Sequence, residues 1–231
     1  MHRRALVTGS AQGIGAAIAE RLAAAGHTVV GVDRTPQVHP FLAESVVADL
    51  ADARVCETLI EAAGPIDMLV NNAGILIDEP LEDTSAEDVD RVLAVNLRAP
   101  ILLTKAALPG MVERGWGRVI NISSVGARTG GYASSGVYNT TKAGLISFAK
   151  YVARHYGQYG VTANAIAPGG IVTAMMGHLT DEQTEEYRAL IPVGHLGMPT
   201  DVAEAAAFLV SEAAGYVNGV TLDVNGGWVM A

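Results

Sequence analysis

Residues 5–15 read Ala-Leu-Val-Thr-Gly-Ser-Ala-Gln-Gly-Ile-Gly, a short apolar run followed by three glycines within seven residues. The pattern predicts a strand that ends at Thr8, a tight turn, and a helix that begins near Ile14. Such a turn suits the pyrophosphate of a dinucleotide, because glycine allows close backbone approach and a helix N-terminus offers free amide groups. We expect a dinucleotide to be contacted by Gly9, Gln12, Gly13, Ile14 and Gly15. The alternative is a glycine-rich turn that binds no ligand.

Short β-branched runs alternate with alanine-rich stretches along the rest of the chain, which is the pattern of βαβ units. The predicted strands are 5–8, 28–33, 45–48, 68–71, 118–123, 161–167 and 220–224. The predicted helices are 14–25, 52–63, 85–114, 137–156, 180–190 and 201–212, with Thr84 and Glu87 as a capping box for the third. Runs of this kind are typical of a parallel sheet that is buried on both faces. We therefore expect one α/β domain over residues 1–231, a doubly wound parallel sheet with helices on both faces.

The composition excludes several classes of protein. Half of the 231 residues are hydrophobic and only 17% are charged, which rules out intrinsic disorder and a coiled coil. The formal charge is −9 and no dense basic cluster occurs, so we expect no nucleic-acid partner. Cys56 is the only cysteine, which excludes an internal disulfide. No signal-peptide core and no window of roughly 18 to 20 apolar residues is found, so we expect a cytoplasmic protein with no membrane partner.

The second predicted strand ends at Asp33, about 20 residues after the glycines. An acidic residue at this position contacts the adenosine ribose in dinucleotide-binding folds. A carboxylate there accepts hydrogen bonds from the ribose hydroxyls of NAD and repels the 2′-phosphate of NADP. The neighbouring Arg34 could instead receive that phosphate. NAD is therefore the favoured cofactor, NADP is the alternative, and a solvated strand end is the interpretation without a ligand.

Tyr138 and Lys142 are four residues apart on a predicted helix, so their side chains lie one turn apart on the same face. A cation at that distance favours the phenolate, which makes a tyrosine of ordinary pKa ~10 useful as a general acid or base. The same pair also occurs on ordinary exposed helix faces. Ser123 and Ser124 end the preceding strand, at the edge where α/β sheets place ligands, and this favours the catalytic interpretation.

Together these segments resemble the classical short-chain dehydrogenase/reductase family. The resemblance covers nearly the whole chain and rests on segments 8–15, 71–74, 138–142 and 168–169, with Asn96 and Ser124. It implies a Rossmann-like fold, a nicotinamide cofactor, a homotetramer, and a catalytic group of Asn96, Ser124, Tyr138 and Lys142. In this family pattern Tyr138 is the general acid/base, Lys142 also binds the nicotinamide ribose, and Ser124 binds the substrate carbonyl. The resemblance further implies cofactor contacts for Asp49, Leu50, Asn72, Ala73, Gly74, Pro168, Gly169, Ile171 and Thr173.

Asn96 can also be argued from the backbone. Pro100 lies four residues later and has no N–H to bond the Asn96 carbonyl, so we expect a free carbonyl and a kink in the helix. A free carbonyl can hold a water, which fits the proton relay through Lys142 that the family implies. A simple proline kink is the alternative.

The chain departs from the family pattern at two places. Only fifteen residues separate Asp33 from Asp49, with Pro36 and Pro40 where the family has a helix, so we expect a looser adenine side. Ser124 lies fourteen residues before Tyr138, one more than is usual in the family, so Ser123 stays an alternative for the catalytic serine.

The expected substrate is a secondary alcohol or ketone. Segments 191–202 and 219–227 resemble the 3-oxoacyl-thioester reductase branch. The short region after Asp33, with Pro40, Phe41 and Glu44, instead resembles NAD-dependent dihydrodiol dehydrogenases. In the predicted excursion 173–198, Met175 and Met176 are candidate pocket walls or core residues, and His178 and His195 lack an acidic partner at metal spacing, so no metal is expected. A catalytically silent NAD(P)-binding regulator and a lyase or epimerase are rivals from other classes. The intact catalytic group disfavours the first, and the lack of sequence for a sugar-nucleotide domain disfavours the second.

Overall fold

Seven parallel strands form one sheet in the computed structural model, which describes residues 2–131, 136–177 and 180–230. The strands are β1 (Arg4–Thr8), β2 (Thr28–Asp33), β3 (Glu44–Val47), β4 (Met68–Asn71), β5 (Gly117–Ile122), β6 (Val161–Pro168) and β7 (Thr221–Val224). Their order across the sheet is β3-β2-β1-β4-β5-β6-β7. The order reverses between β1 and β4, which makes the sheet doubly wound and confirms the predicted fold class.

Most helices occupy the predicted stretches with small shifts at their ends, but Gly126–Thr129 was not predicted and the third stretch is divided. They are α1 (Gly13–Ala24), α2 (Ala53–Ala63), α3 (Ala86–Leu93), α4 (Ala99–Glu113), α5 (Gly126–Thr129), α6 (Gly136–Tyr156), α7 (Asp181–Ala189) and α8 (Pro199–Val210). Short 3-10 turns cover Gly157–Tyr159, Ala174–Met176 and Glu212–Ala214. Gly26 and Gly64 follow α1 and α2 with φ of 87° and 77°, a backbone conformation that glycine adopts at low cost.

Two apolar layers hold the helices against the sheet. Helices α1 and α8 cover one face, where Ile18 and Leu209 are fully buried. Helices α2, α4 and α6 cover the other face, with Leu103 and Met111 in its core. Because both faces are covered, the strands read as continuous hydrophobic runs rather than as alternating ones.

The long helical stretch that follows β4 contains a π-helical segment, Ala94–Arg98, between α3 and α4. Asn96 is in this segment, so the predicted irregularity before Pro100 takes the form of a π-bulge, a feature common at functional sites. The predicted capping box is wrong by one residue. Ser85 caps α3 by accepting a hydrogen bond from the Asp88 amide, because the Thr84 hydroxyl instead donates to the Pro80 carbonyl.

By length and composition alone, the continuous helix Ala86–Glu113 could cross a membrane, since the mean hydropathy of its most apolar window is 1.3. Half of that window is buried inside the protein. A core helix that packs against a sheet meets the same criterion, and α4 contacts β4 and β5.

Residues 34–43 connect β2 to β3 without a helix. The Nε2 atom of His39 donates a hydrogen bond to the Ala11 carbonyl at 3.0 Å, and the His39 ring stacks on Phe41 with centroids 4.8 Å apart. Phe41 and Leu42 pack against the core layer of α1 and α8. The short connection is therefore tied to the glycine turn and to the core.

Candidate active site

A cleft of about 590 Å³ runs along the carboxyl edge of the sheet, where the order of the strands reverses. Open α/β sheets bind their ligands at this place. Its lining includes Gly9, Asp33, Asn72, Ser124, Tyr138 and Lys142. One cleft thus contains both the predicted dinucleotide residues and the predicted catalytic residues.

The glycine turn has the shape that a pyrophosphate requires. Gly9 and Gly13 have φ of 68° and 59°, in the left-handed region. A Cβ atom at Gly9 would lie 2.8 Å from Nδ2 of Asn72 and 2.9 Å from Cα of Ala73. A larger residue at either position would strain the turn, and at Gly9 it would also displace the neighbouring loop.

Helix α1 begins directly behind this turn, and the side chain of its N-cap residue, Gln12, makes no capping hydrogen bond. No acidic residue lies in the first turn of α1. Amide groups at the start of a helix favour an anion, so Gly13 and Ile14 can donate to phosphate oxygens. The residues present therefore fit a dinucleotide.

Gly15 has a different part in the turn. It is buried, and a Cβ atom there would clash with the Gly9 carbonyl and with Nδ2 of Asn72. Gly15 thus permits close packing of α1 on the turn and stands behind the cleft rather than on its surface.

Asp33 lies at the end of β2 with its carboxylate fixed by three donors. Oδ1 accepts hydrogen bonds from the amide and hydroxyl of Thr35 at 3.0 and 2.7 Å, and Oδ2 accepts one from the Ala11 amide at 3.0 Å. Burial acts to raise the pKa of Asp33, but the hydrogen bonds outweigh burial and hold this pKa below its ordinary value. The cleft therefore presents a fixed negative charge at this end.

Arg34, Asp49 and Leu50 surround Asp33 at the same end of the cleft. Arg34 is exposed, and within the described part of the chain it has no hydrogen bond or ion pair from its side chain. Asp49 bonds the Ala51 amide, while Leu50 is buried. A cation and two carboxylates thus face the space next to the glycine turn.

Asn72 connects the loop after β4 to the glycine turn. Its Nδ2 atom donates to the carbonyls of Thr8 and Gly9 at 2.9 and 3.1 Å. The Thr8 hydroxyl accepts from the amides of Asn72 and Ala73, each at 3.0 Å. The two loops are therefore held as one surface along the middle of the cleft.

Tyr138 and Ser124 are hydrogen-bonded to each other through their side chains. Ser124 follows β5 and also accepts the Gly126 amide at 3.1 Å. The Ser123 hydroxyl is buried and donates to the Lys142 carbonyl at 2.8 Å. Of the two serines, Ser124 is the one whose hydroxyl meets the Tyr138 phenol.

Lys142 lies one turn after Tyr138 on α6, with Nζ 5.5 Å from the centroid of the tyrosine ring. Nζ donates to the Ile122 carbonyl at 2.8 Å. A Cβ atom at Gly74 would lie 3.3 Å from this Nζ and 3.5 Å from Oδ1 of Asn96. Gly74 thus lets the ammonium group and the asparagine approach the same point of the loop.

Asn96 is fully buried behind Gly74. Its Oδ1 accepts the Ile75 amide at 2.8 Å, and its Nδ2 donates to the Ile75 carbonyl at 2.9 Å and to the Thr141 hydroxyl at 3.3 Å. The Thr141 hydroxyl donates in turn to the Tyr138 carbonyl. The Asn96 side chain therefore joins the loop after β4 to the helix that carries Tyr138 and Lys142.

Burial changes the acidity of both central groups. It raises the pKa of Tyr138 to about 12, although the hydrogen bond with Ser124 opposes this rise. It lowers the pKa of Lys142 to about 8. At neutral pH the phenol therefore carries its proton and most of the lysine is charged.

Asn139, which the sequence analysis missed, connects α6 to the segment that follows Ser124. This buried side chain donates from Nδ2 to the Gly130 carbonyl at 2.8 Å, and its Oδ1 lies where a Cβ of Gly126 would be. Arg128 in the same loop forms an ion pair with Asp223 at 3.1 Å. The described part of the segment after Ser124, residues 125–131, is thus held by two contacts.

The segment after β6 closes the cleft from the opposite side. Ile171 is buried and forms an isolated parallel bridge with Gly197. A Cβ atom at Gly13 would lie 3.4 Å from Cγ2 of Thr173, so Thr173 approaches the glycine turn. Pro168, Gly169, Ile171 and Thr173 all line the cleft, as does Met176.

His195, in the predicted excursion, does not line the cleft. His195 is exposed and hydrogen-bonds the Leu196 carbonyl through Nδ1. His178 and the side chain of Met175 lie outside the described residues. Among the residues that are described, no three His, Cys, Asp or Glu side chains are grouped as metal ligands.

Comparison with known proteins finds relatives that match almost the whole chain. The family model for enoyl-(acyl carrier protein) reductase matches residues 9–229. The 3-oxoacyl-[acyl-carrier-protein] reductase of Haemophilus influenzae is 41% identical, over 96% of this chain and 96% of its own. The corresponding reductase of Aquifex aeolicus is 39% identical, over 96% of this chain and 95% of its own.

Two solved structures share the fold closely. A protein of Beutenbergia cavernae assigned as an NAD(P)-dependent gluconate 5-dehydrogenase, with NADP at low occupancy, superposes with a TM-score of 0.92 at 39% identity, over 98% of this chain and 96% of its own. A protein of Agrobacterium tumefaciens assigned as a 2-deoxy-D-gluconate 3-dehydrogenase, with bound NADP, gives 0.89 at 36% identity, over 98% of this chain and 96% of its own. The chain therefore belongs to the short-chain dehydrogenase/reductase family of nicotinamide-dependent oxidoreductases.

Proposed function

We propose that the protein reduces the ketone of a 3-oxoacyl thioester to the secondary alcohol, with NADH favoured over NADPH. The observation that carries the proposal is the group of Ser124, Tyr138 and Lys142 at the edge of β5, on the cleft that also contains the glycine turn. When bound, the nicotinamide supplies the hydride. Every other task belongs to side chains of this chain.

Ser124 and Tyr138 bind the carbonyl oxygen, and Tyr138 protonates it. Both hydroxyls donate to this oxygen as negative charge develops on it, while a new C–H bond forms at the carbonyl carbon. The Tyr138 proton then moves to the oxygen, and the C=O double bond becomes a C–O single bond. A raised phenol pKa keeps this proton in place until the charge appears.

Lys142 stabilises the phenolate that remains, because its ammonium group is close to the Tyr138 ring. It also binds the ribose hydroxyls on the nicotinamide side. Asn96 keeps the loop of Gly74 and Ile75 beside this ammonium group. We therefore assign Asn96 as a positioning residue on which a relay of protons to Lys142 depends.

The preference for NADH rests on Asp33. Its fixed carboxylate accepts hydrogen bonds from the ribose hydroxyls, and each such bond to a charged group contributes about 1.5 to 3 kcal/mol. A 2′-phosphate in that position meets the same charge. Arg34 can offset this repulsion, but an exposed ion pair contributes only about 0 to 1 kcal/mol.

The remaining cofactor contacts follow from the lining of the cleft. We propose that Gly9, Gln12, Gly13 and Ile14 bind the pyrophosphate and that Asp49 and Leu50 lie beside the adenine. The loop of Asn72, Ala73 and Gly74 then lies along the riboses, and Pro168, Gly169, Ile171 and Thr173 cover the nicotinamide.

The thioester substrate is supported by the reductases of Haemophilus influenzae and Aquifex aeolicus. Oxidation of a sugar acid is the second candidate, because both solved relatives are assigned as gluconate-type dehydrogenases. Steady-state turnover of acetoacetyl thioester, of 5-keto-gluconate and of a cyclic dihydrodiol, each with matched cofactor, distinguishes these substrates. We expect the thioester to give the highest kcat/KM. A higher value for the sugar acid would overturn the proposed substrate.

We expect kcat/KM for the reduced cofactor to fall as pH rises above about 8. This parameter reports groups that titrate in the free enzyme, and Lys142 loses its positive charge through that range. The value should be level below pH 8 and fall about tenfold per pH unit above it. Lys142→Arg keeps its charge at high pH, so its profile should lack the falling limb whatever its absolute activity. The same limb in that variant would contradict the assignment.

We also propose that the protein is a cytoplasmic homotetramer. Leu93 and Ile101 on the long helix are partly exposed, which is typical of faces that another subunit covers. Cys56 is a buried thiol, as suits a reducing compartment. Light scattering at micromolar concentration should give four chain masses, and a clean monomer would contradict the assembly.

A further inference from the structure

Two aromatic rings that contact each other, those of Tyr187 and Trp228, line the cleft. Across the sheet, the carboxyl ends of the strands present Asp33 after β2, Ser124 after β5, Gly170 after β6 and Trp228 after β7. A Cβ atom at Gly170 would lie 3.9 Å from the Trp228 ring. Trp228 is therefore on the side of Ser124 opposite to the adenine end.

A tight turn after β7 directs Trp228 into the cleft. Gly226 and Gly227 have φ of 63° and 86°. Asn225 closes the turn, because its Oδ1 accepts the Gly227 amide and its Nδ2 donates to the Val229 carbonyl, both at 2.9 Å. The Trp228 amide donates to the Asn225 carbonyl at 3.1 Å. These hydrogen bonds fix the backbone that carries the Trp228 ring.

Tyr187 on α7 meets this ring edge to face, with centroids 5.4 Å apart and an interplanar angle of 81°. The other described side chains of α7 are mostly exposed and polar, so Tyr187 is the apolar contact of this helix with the cleft. Burial raises the pKa of Tyr187, and the carboxylate of Asp78 raises it further. Both rings and Asp78 line the cleft.

The chemistry of this corner favours an apolar group. Two aromatic rings at right angles, with Leu76 and Met176 in the same lining, offer dispersion and apolar burial. A polyhydroxylated chain needs a hydrogen-bond partner for each buried hydroxyl, and a substrate carboxylate would meet Asp78. Arg91 also lines the cleft, but the charge that acts on the Tyr187 hydroxyl is that of Asp78.

We propose that Tyr187 and Trp228 form the binding site for the apolar acyl chain of the substrate and determine the preferred chain length. The inference rests on the proposed reduction of a 3-oxoacyl thioester. It adds the residues that separate this substrate class from sugar acids. The acyl chain extends from the carbonyl at Ser124 and Tyr138 toward β7 and packs on the two rings.

A chain-length series of 3-oxoacyl thioesters tests the proposal. In the wild-type enzyme, kcat/KM should rise about four-fold per methylene for as long as the added methylenes contact the rings. In Tyr187→Ala and Trp228→Ala, the ratio of kcat/KM for a long substrate to kcat/KM for a short one should fall at least about tenfold. Trp228→Phe should keep most of it. Tyr159→Ala is the matched control. This exposed tyrosine precedes β6, at the amino ends of the strands, whereas the cleft lies at their carboxyl ends.

Fluorescence gives a readout that does not depend on turnover. The chain has two tryptophans, and Trp116 is stacked between Arg3 and Arg118, outside the lining of the cleft. In a Trp116→Phe background, the emission of Trp228 should change when the ketone is added with oxidised cofactor, a combination that cannot react. The change should be larger for a long acyl chain than for acetoacetyl thioester.

The outcomes separate the inference from the function on which it rests. Reduction of no thioester by the wild-type enzyme overturns the proposed function and the inference with it. Normal reduction with an unchanged chain-length ratio in both alanine variants overturns the inference alone, as does an emission of Trp228 that no ketone alters. If Trp228→Ala fails to fold, Tyr187→Ala and the emission of Trp228 still decide between these results.

Discussion

Replacing Tyr138 by phenylalanine should reduce turnover by about 10² to 10⁴ and leave dinucleotide binding almost unchanged. The change removes only the hydroxyl, so the ring still packs on α6 beside Lys142. The substitution removes the proton donor proposed for the carbonyl oxygen, and the Lys142 ammonium group does not replace it because it donates to the Ile122 carbonyl. Turnover and a separate cofactor titration measure the two effects.

Tyr151→Phe is the matched control for this variant. Tyr151 is on the same helix, is half exposed and lies more than three turns away, so its hydroxyl should not affect turnover. Should the Tyr138→Phe enzyme keep more than a tenth of wild-type turnover, Tyr138 is not the acid that protonates the carbonyl oxygen.

Asp33 should give the second largest effect, a preference for NADH of about 10- to 100-fold in kcat/KM. Asp33→Asn should narrow this ratio. The substitution removes the charge that repels a 2′-phosphate but keeps an oxygen for the amides of Ala11 or Thr35. Asp33→Ala should weaken the binding of NADH further, because it also removes the acceptor for the Ala11 amide in the glycine turn.

Arg34→Ala tests the opposing charge at the same end of the cleft. Removal of this exposed cation should lower kcat/KM for NADPH and leave that for NADH unchanged, since only the 2′-phosphate would pair with it. Lys105→Ala is the control for net charge, because it also removes an exposed cation, from α4 and outside the lining of the cleft. Equal kcat/KM values for the two cofactors in the wild-type enzyme would contradict the role given to Asp33.

The parts of the fold that depend on local signals were predictable. The glycine turn combines an apolar run with glycines at which side chains would clash, so residues 5–15 predict it without tertiary information. The spacing of Tyr138 and Lys142 likewise follows from helix geometry. Proline at position 100 predicts an irregular helix, although only the structure reveals the π-helical form.

Residues that act through distant partners could not be predicted in this way. Asn139 bonds a loop nine residues earlier that has no periodic pattern, and Trp228 meets Tyr187 only because β7 and α7 reach the same end of the cleft. The cap of α3 was misplaced because Thr84 and Ser85 are both suitable, and the Pro80 carbonyl decides between them. Competition between local partners is settled by tertiary geometry.

The most direct test of the hydride-transfer site uses NADH that carries deuterium at both positions of its reacting carbon. The wild-type enzyme is incubated with a 3-oxoacyl thioester, and the product is examined by mass spectrometry and NMR. We expect a 3-hydroxyacyl thioester with one deuterium on the carbinol carbon, while the hydroxyl proton exchanges with water. A product without deuterium at that carbon, or no product at all, would contradict the account.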